Sequence, residues 1–367
     1  MRVLAVALLL IASPIAAGPA LTWSPVVGRE PRVERPEGGP TASLYARCGE
    51  RSSALETLAR DLVVSAARPS PGALAFAVHT AGLAQPWPRA WIMSGDSANA
   101  LSRLTHWLGP QRGVRRCGIA HRIDGLAPQT FAVIAVDALA ELTPIARRPR
   151  VGAWVSVDAQ LFVEASAAAV ILLGPSGEPR RVPVDLSDGI VRSRVNLDEP
   201  GEWTVQVVAT FPSGPEPVLE AHLFAGVEPK RAFEEPKPKP KLINLPDIEV
   251  LMGLLNSERR EHGLPSVVRK SSLDAVARGH AAAMARTTRV AHDSGDGDPV
   301  DRVRASGTEA HVVGENVARA ANATAAHHAL WQSPSHRGNM LSPRFSHIGV
   351  GVVHDSDGVW VTEVFTD

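Results

Sequence analysis

Trp331-Gln332-Ser333-Pro334-Ser335-His336-Arg337-Gly338-Asn339-Met340-Leu341, preceded by Gly314-Glu315-Asn316-Val317, is the stretch that decides how the last third of this chain is read. Upstream stands a third landmark, Val290-Ala291-His292. His292, Glu315 and His336 can each carry a proton or ligate a metal, and the sequence places them on three separate loops rather than on one helix face. Clefts are commonly assembled in this way, from distant segments held by a rigid scaffold.

The flanking sequence predicts regular elements. Asp247 reads as the cap of a helix with Ile248, Leu251, Met252 and Leu255 on one face, closed by Gly263 and Pro265. Ser271 with Asp274 has the capping-box pattern ahead of Leu273, Val276, Ala277 and Met284. Asp298-Pro299 opens a short helix that Gly307 ends, and Thr324 opens another that reaches Trp331. The chain closes on a hairpin, residues 348–354 and 359–366 around Asp355-Ser356-Asp357-Gly358. Helices followed by an antiparallel hairpin predict an α+β domain over 247–367.

The chain has 367 residues, too many for a single core, so two or three domains are expected. Acidic and basic residues balance at 38 each, which gives no basic excess and no expectation of nucleic acid as a partner. One Arg, an apolar run too short to span a bilayer and the small residues Ala16-Ala17-Gly18-Pro19-Ala20 read as a signal peptide over 1–20, cleaved after Ala17 or Ala20; an uncleaved anchor is the alternative. A secreted or periplasmic protein is expected, with no transmembrane span in the mature chain. Cys48 and Cys117 are the only cysteines; in an exported protein they suggest a disulfide, with two free thiols as the alternative. Neither falls in 247–367, which removes a cysteine nucleophile or a Cys-ligated zinc there.

Two composition breaks divide the rest. Residues 21–40 are mostly Pro, Gly and charge and read as a disordered linker. Residues 228–246, with alternating Pro and Lys, read as an extended spacer. Between them, 41–150 reads as a mixed α/β domain, with helical spacing at Leu55, Leu58, Leu62 and at Leu101, Leu104, Leu108. Residues 151–227 switch to short β-like runs separated by turns and predict a β-sandwich; Pro200-Gly201-Glu202-Trp203-Thr204-Val205 resembles an immunoglobulin-like module. Cys117-Gly118-Ile119 followed by Phe131-Ala132-Val133-Ile134 also echoes Ile348-Gly349-Val350 followed by Trp360-Val361-Thr362-Glu363. That echo reads either as a degenerate copy of the C-terminal fold over 41–140 or as two unrelated glycine-containing hairpins.

Five runs appear in a telling order: Leu254-Leu255-Asn256-Ser257-Glu258-Arg259, Val290-Ala291-His292, Gly314-Glu315-Asn316-Val317-Ala318, Trp331 through Leu341, and His347-Ile348-Gly349-Val350-Gly351. Together they resemble the bacterial branch of the CAP superfamily, the SCP-like extracellular proteins related to cysteine-rich secretory proteins, insect venom antigen 5 and plant pathogenesis-related proteins. The resemblance covers about 247–367 and implies an α-β-α sandwich. It also implies a cleft of two His and two acidic residues that binds a divalent metal in some members. On matching positions His292 is the first His, Glu315 the Glu of Gly-Glu-Asn and His336 the second His, with Asn316, Arg337 and Asn339 in support. The second acidic residue has no counterpart, and Pro334 stands where it is expected.

Two imidazoles and one carboxylate can hold zinc or another divalent metal and leave a position open for water, with His292 and His336 as nitrogen ligands. Without metal, a His–Glu pair can act as a general base. The same side chains can instead tie loops to a sheet. Ser333 and Ser335 sit in no nucleophile-elbow motif. His280, His327, His328 and Trp331 read as packing or surface residues, and the His311–Glu315 pair is set aside because Gly314 interrupts a helix there. Two functions follow. One is a non-enzymatic envelope or extracellular module that binds a lipid, a glycan or an envelope protein. The other is a metal-assisted, peptidase-like hydrolase using His292, Glu315 and His336. The missing acid and nucleophile favour the first.

Overall fold

The computed structural model describes residues 22–65, 67–123, 125, 129–237 and 244–367. The signal-peptide reading and the centre of the second linker lie outside these residues. No helix among the described residues is long and apolar enough to cross a membrane.

The first module contains β1 (Val26–Val27), α1 (Ala42–Cys48), β2 (Glu50–Arg51), α2 (Ser53–Ser65), α3 (Pro71–Thr80), β3 (Arg89–Ser94), α4 (Ser97–Leu108), β4 (Val114–Arg122) and β5 (Thr130–Ala138). Its sheet runs β2-β4-β5-β3, with β2 parallel to β4 and the other pairs antiparallel. The sheet is covered on both faces because alternate strand residues point opposite ways. Ala132, Ile134 and Val136 meet Leu55, Ala59 and Leu62 of α2. Phe131, Val133 and Ala135 meet Leu44 of α1 and Leu104 and Leu108 of α4. A Cβ on Gly118 would lie 1.9 Å from the Leu55 carbonyl carbon, so only glycine lets α2 approach β4 this closely. Cys48 and Cys117 are bonded, with Cα atoms 6.1 Å apart, and cross-link α1 to β4.

The middle unit contains β6 (Ala140–Leu142), β7 (Ile145–Ala146), β8 (Ala153–Leu161), β9 (Ala167–Leu173), β10 (Arg180–Val182), β11 (Val184–Ser187), β12 (Ile190–Leu197), β13 (Gly201–Phe211) and β14 (Gly214–Ala225). Two four-stranded antiparallel sheets, β11-β12-β8-β6 and β10-β9-β13-β14, share one apolar cluster around Val157, Val191, Trp203, Val205 and Leu223. Because β6 belongs to this unit, the sheets start about ten residues before the expected 151.

Both expected linkers depart from their composition where they carry aromatic residues. In the segment read as disordered, β1 pairs with β7 and Val27 is fully buried. Trp23 packs edge-on against Phe76 at 5.3 Å and Phe224 at 4.9 Å. In the second, Phe233 lies 5.9 Å from Phe76, Ser70 Oγ donates to Glu235 at 2.7 Å and Trp23 Nε1 donates to the Lys230 carbonyl at 2.6 Å. A few large apolar side chains offset the chain entropy that average composition weighs against these segments.

The C-terminal domain contains α5 (Asp247–Glu261), β15 (Val268–Arg269), α6 (Ser271–Thr287), α7 (Pro299–Ala305), β16 (Val313–Ala320), α8 (Ala323–Gln332), α9 (Pro334–Met340), β17 (His347–Asp355) and β18 (Gly358–Thr366). Its sheet runs β15-β17-β18-β16, with β15 parallel to β17. Leu273, Ala281 and Met284 of α6 cover one face against Trp360 and Val364. Leu251 and Leu255 of α5 and Leu330 of α8 cover the other against Ile348, Val350 and Val361. Gly349 repeats the close approach of Gly118, since its Cβ would lie 2.1 Å from the Leu273 carbonyl carbon. The first module and this domain therefore have the same sheet order: a two-residue parallel strand, a central hairpin and an edge strand.

Several helix starts differ from the sequence reading. Pro246 occupies the N-cap of α5, so Asp247 is the first helical residue, and it pairs with His354 at 2.7 Å. Asp274 does not complete a capping box; it accepts from the Val350 N–H at 2.9 Å and Arg269 Nε at 2.8 Å, pinning α6 to β17. Asn322, two residues before the expected Thr324, caps α8 through the Ala325 N–H at 2.9 Å. Asp298 caps α7 as the Asp-Pro pair predicts.

Candidate functional site

The site is built around β16, an edge strand of the C-terminal sheet. Register places Glu315 opposite Val364 and Asn316 opposite Glu363, so these neighbours point to opposite faces. The three expected residues do not all sit on loops. His292 does, but Glu315 lies within β16, and His336 lies on α9, where Pro334 at a first-turn position starts a helix in a stretch expected to be a turn.

On the α6 face, both oxygens of Glu315 are engaged. His292 Nδ1 donates to Oε1 at 2.8 Å and Arg302 Nη2 donates to Oε2 at 2.5 Å. Arg302 Nη1 also donates to the His292 carbonyl at 3.0 Å and to the Gly297 carbonyl. His280 is completely buried; its Nδ1 faces Asp296 at 2.9 Å and its Nε2 faces the Ala291 carbonyl at 2.8 Å, 3.8 Å from Glu315. Burial by itself would raise the Glu315 carboxyl, but the His292 hydrogen bond and the charges of Arg302 and His280 hold it below the usual carboxylate range. It is thus an ionised group with each oxygen engaged by one charged or polar side chain.

On the other face, a network of amides fixes α9 to β16. Asn316 Nδ2 donates to the His336 carbonyl at 3.3 Å and to Glu363 Oε2 at 3.1 Å. Asn339 Nδ2 donates to the Glu315 carbonyl at 3.2 Å and Asn316 Oδ1 at 3.0 Å. Arg337 turns out of this site: its guanidinium stacks 4.3 Å over Trp331 and Nη1 donates to the Gly177 carbonyl at 3.3 Å. The His336 ring is buried with Nε2 unpartnered, and burial with His292 nearby pushes it down to about 3, so it is a neutral imidazole.

His292, Glu315 and His336 therefore surround one edge strand without forming a compact ligand set. Among the described residues, one group of three metal-capable side chains has ligand atoms within 4.8 Å of one another, and it is His79, Glu220 and His222. Arg302, Asp296 and Glu363 were not singled out from sequence, whereas His280, read there as packing, is buried as expected. Arg302 and Asp296 were hidden in a polar loop and a short helix. Glu363 had a signal, since one carboxylate interrupts the apolar run of the final strand.

The His336 side of the site is covered by the other two units. Trp87, between α3 and β3, stands 6.2 Å from the His336 ring. The α9 helix packs on β9 and β13, and α3 packs on β16, covering the open edge of the sheet. Gln206 on β13 donates from Nε2 to Ser333 Oγ at 3.0 Å, and its Oε1 accepts from the Ser335 N–H at 3.0 Å. One buried amide thus engages the Ser333 hydroxyl and the Ser335 backbone, while the Ser335 hydroxyl is buried without a hydrogen-bond partner among the described residues. Gln206→Ala is expected to cost about 2 kcal/mol, since it orphans several buried polar groups, read as a lower denaturant midpoint for the C-terminal domain. An unchanged midpoint would mean that the interface contributes nothing.

The sequence profile of the cysteine-rich secretory protein family, CAP, matches residues 252–365. The uncharacterized protein YkwD of Bacillus subtilis is 32% identical over 115 residues, 31% of this chain and 44% of that protein, so the match spans less than half of the relative. Among solved structures, an outer surface protein of Borrelia burgdorferi aligns at 18% identity and a TM-score of 0.32 over 33% of this chain and 92% of its own. An extracellular SCP-domain protein of Bacillus anthracis aligns at 16% identity and a TM-score of 0.30 over 75% and 93%. The profile spans His292, Glu315 and His336 with the helices and sheet that hold them, and residues 252–365 are a CAP domain of the bacterial kind.

Proposed function

We propose that this protein is an exported, non-enzymatic CAP-domain module of the bacterial envelope or exterior that binds a ligand or partner. In this reading, residues 41–140 are a degenerate second copy of the CAP fold, and the middle sheets form an immunoglobulin-like sandwich holding that copy over the His336 side of the C-terminal domain. The observation that carries the non-enzymatic reading is Glu315. Its carboxylate is bound on one oxygen by His292 and on the other by Arg302, so the strongest base candidate is committed to structure. The shared sheet order and the paired glycine approaches at Gly118 and Gly349 support the second copy.

One observation favours the hydrolase alternative: His336 Nε2 is buried without a partner and its ring is neutral, as a metal ligand requires. The two readings separate in an assay of the whole exported chain. With zinc added, peptide and casein hydrolysis should not exceed the blank, and His336→Ala should change nothing in that assay. In co-sedimentation, the wild type should pellet with either purified peptidoglycan or phosphatidylglycerol vesicles. Measurable turnover that His336→Ala abolishes at unchanged melting temperature would replace the binding module with the hydrolase.

A further inference from the structure

The group formed by His79, Glu220 and His222 lies outside the CAP cleft, where the first module meets the middle sheets. His79 is in the last turn of α3; Glu220 and His222 stand two residues apart on β14 and so share a face. We propose that these three side chains form a zinc site that fastens the first module to the middle unit.

Spacing supports this. His222 Nε2 lies 3.4 Å from Glu220 Oε1, the separation expected of two donors on a tetrahedral zinc with bonds of about 2.1 Å. The His79 and His222 rings are 4.9 Å apart between centroids, and one ligand atom from each residue lies within 4.8 Å of the others. Closing the His79 contact needs a shift on the order of 1 Å.

The surroundings resemble what metal ligands require, because a polar group lies beside the second polar atom of each, although His222 Nδ1 has no partner in hydrogen-bond geometry. The His79 ring bonds the Gln85 backbone, which leaves its buried Nε2 without a partner. His222 Nδ1 faces Glu202 Oε1 at 3.2 Å. Glu220 Oε2 accepts from Gln206 Nε2 at 2.9 Å. Arg147 donates to the carbonyls of both His79 and His222, so one guanidinium positions two of the ligand-bearing backbones. Charge is compatible as well: the carboxylates of Glu202 and Glu220 both lie against the His222 ring, and a carboxylate beside imidazoles is a donor set that zinc accepts.

Three protein ligands leave a fourth position for water or a substrate atom. Through Gln206, which also holds Ser333 and Ser335, the site is joined to the start of α9 and hence to His336.

The test uses the full chain, stripped with chelator and titrated with zinc chloride by calorimetry and with cobalt chloride by visible absorption. One zinc per chain is expected, with cobalt bands of tetrahedral intensity. His79→Gln and His222→Gln should each weaken binding by about 100-fold or more, while His292→Gln and His336→Gln retain it. Glu202→Gln keeps all three ligands and should weaken binding by about 10- to 100-fold, and near-ultraviolet circular dichroism of each metal-free variant checks that it is folded. The proposal is overturned if the wild type binds no stoichiometric zinc, or if folded His79→Gln binds like wild type. It is equally overturned if binding is lost only in the His292 and His336 variants, which would place the metal in the CAP cleft.

Discussion

Glu315→Ala is expected to destabilise the C-terminal domain by about 3–5 kcal/mol, because it removes one partner of a buried ion pair. The Arg302 side chain is 8% exposed and would be left with Asp296, 3.6 Å from its Nη1 and already paired with His280, as its carboxylate neighbour. Restoring apolar character on both sides, as in Glu315→Leu with Arg302→Met, should recover most of the loss, since a buried pair replaced whole by packed hydrophobics is often neutral. The pH dependence has a definite sign. A carboxyl held below its ordinary value stabilises the fold above about pH 4.5, and that contribution disappears as pH falls through the folded value. Wild type should therefore lose stability on acidification more steeply than the double variant. Thermal melting from pH 3 to 8 measures this; a Glu315→Ala protein that melts like wild type would free the carboxylate for chemistry and undo the structural assignment.

Glu363→Gln should act in the opposite direction. Glu363 is fully buried on β18; Asn316 donates to its Oε2, its Oε1 has no hydrogen-bond partner among the described residues, and burial pushes its carboxyl up to about 7 despite that bond. Folding then favours the protonated form. The stabilisation is complete below about pH 4.5 and is lost as pH rises through about 7. The difference between these values corresponds to about 3 kcal/mol. Glutamine retains the shape and stays neutral, so the variant should match wild type near pH 4 and exceed it by about 3 kcal/mol at pH 8.5. Chemical denaturation at the two pH values checks this; equal wild-type and variant midpoints at pH 8.5 would mean that water or rearrangement solvates the ionised carboxylate.

The two carboxylates also show what could be read in advance. The C-terminal domain was legible because its signals are local: Asp298-Pro299 specifies a helix start, and the apolar spacing of Leu251 and Leu255 specifies a covered face. His292 and Glu315 were recognisable by motif, and they do meet at 2.8 Å. The fate of Glu315 was not legible, because the deciding partner, Arg302, comes from α7 and only the folded chain brings it there. The same holds for the roof over His336. Trp87 and Gln206 are 249 and 130 residues away in sequence and carry no motif, so their contacts follow from the docking of whole units. The departure at 21–40 has a simpler origin: composition averages over a segment, whereas Trp23 and Val27 bury individually.

The repeated strand order carries a hazard for the chain as it folds. Two sheets of the same order, each with a two-residue outer strand and a central hairpin, can exchange partners, a characteristic failure of chains that contain related modules. The Cys48–Cys117 cross-link joins α1 to β4 inside the first sheet and has no counterpart in the second. Once it closes, α1 cannot be lent to the C-terminal hairpin, and the interposed β-sheets keep the two hairpins apart along the chain. Formed early in folding, the bond would act as a proofreader of pairing as well as a staple, and reductant present during refolding should yield swapped, oligomeric species that the oxidised chain does not form.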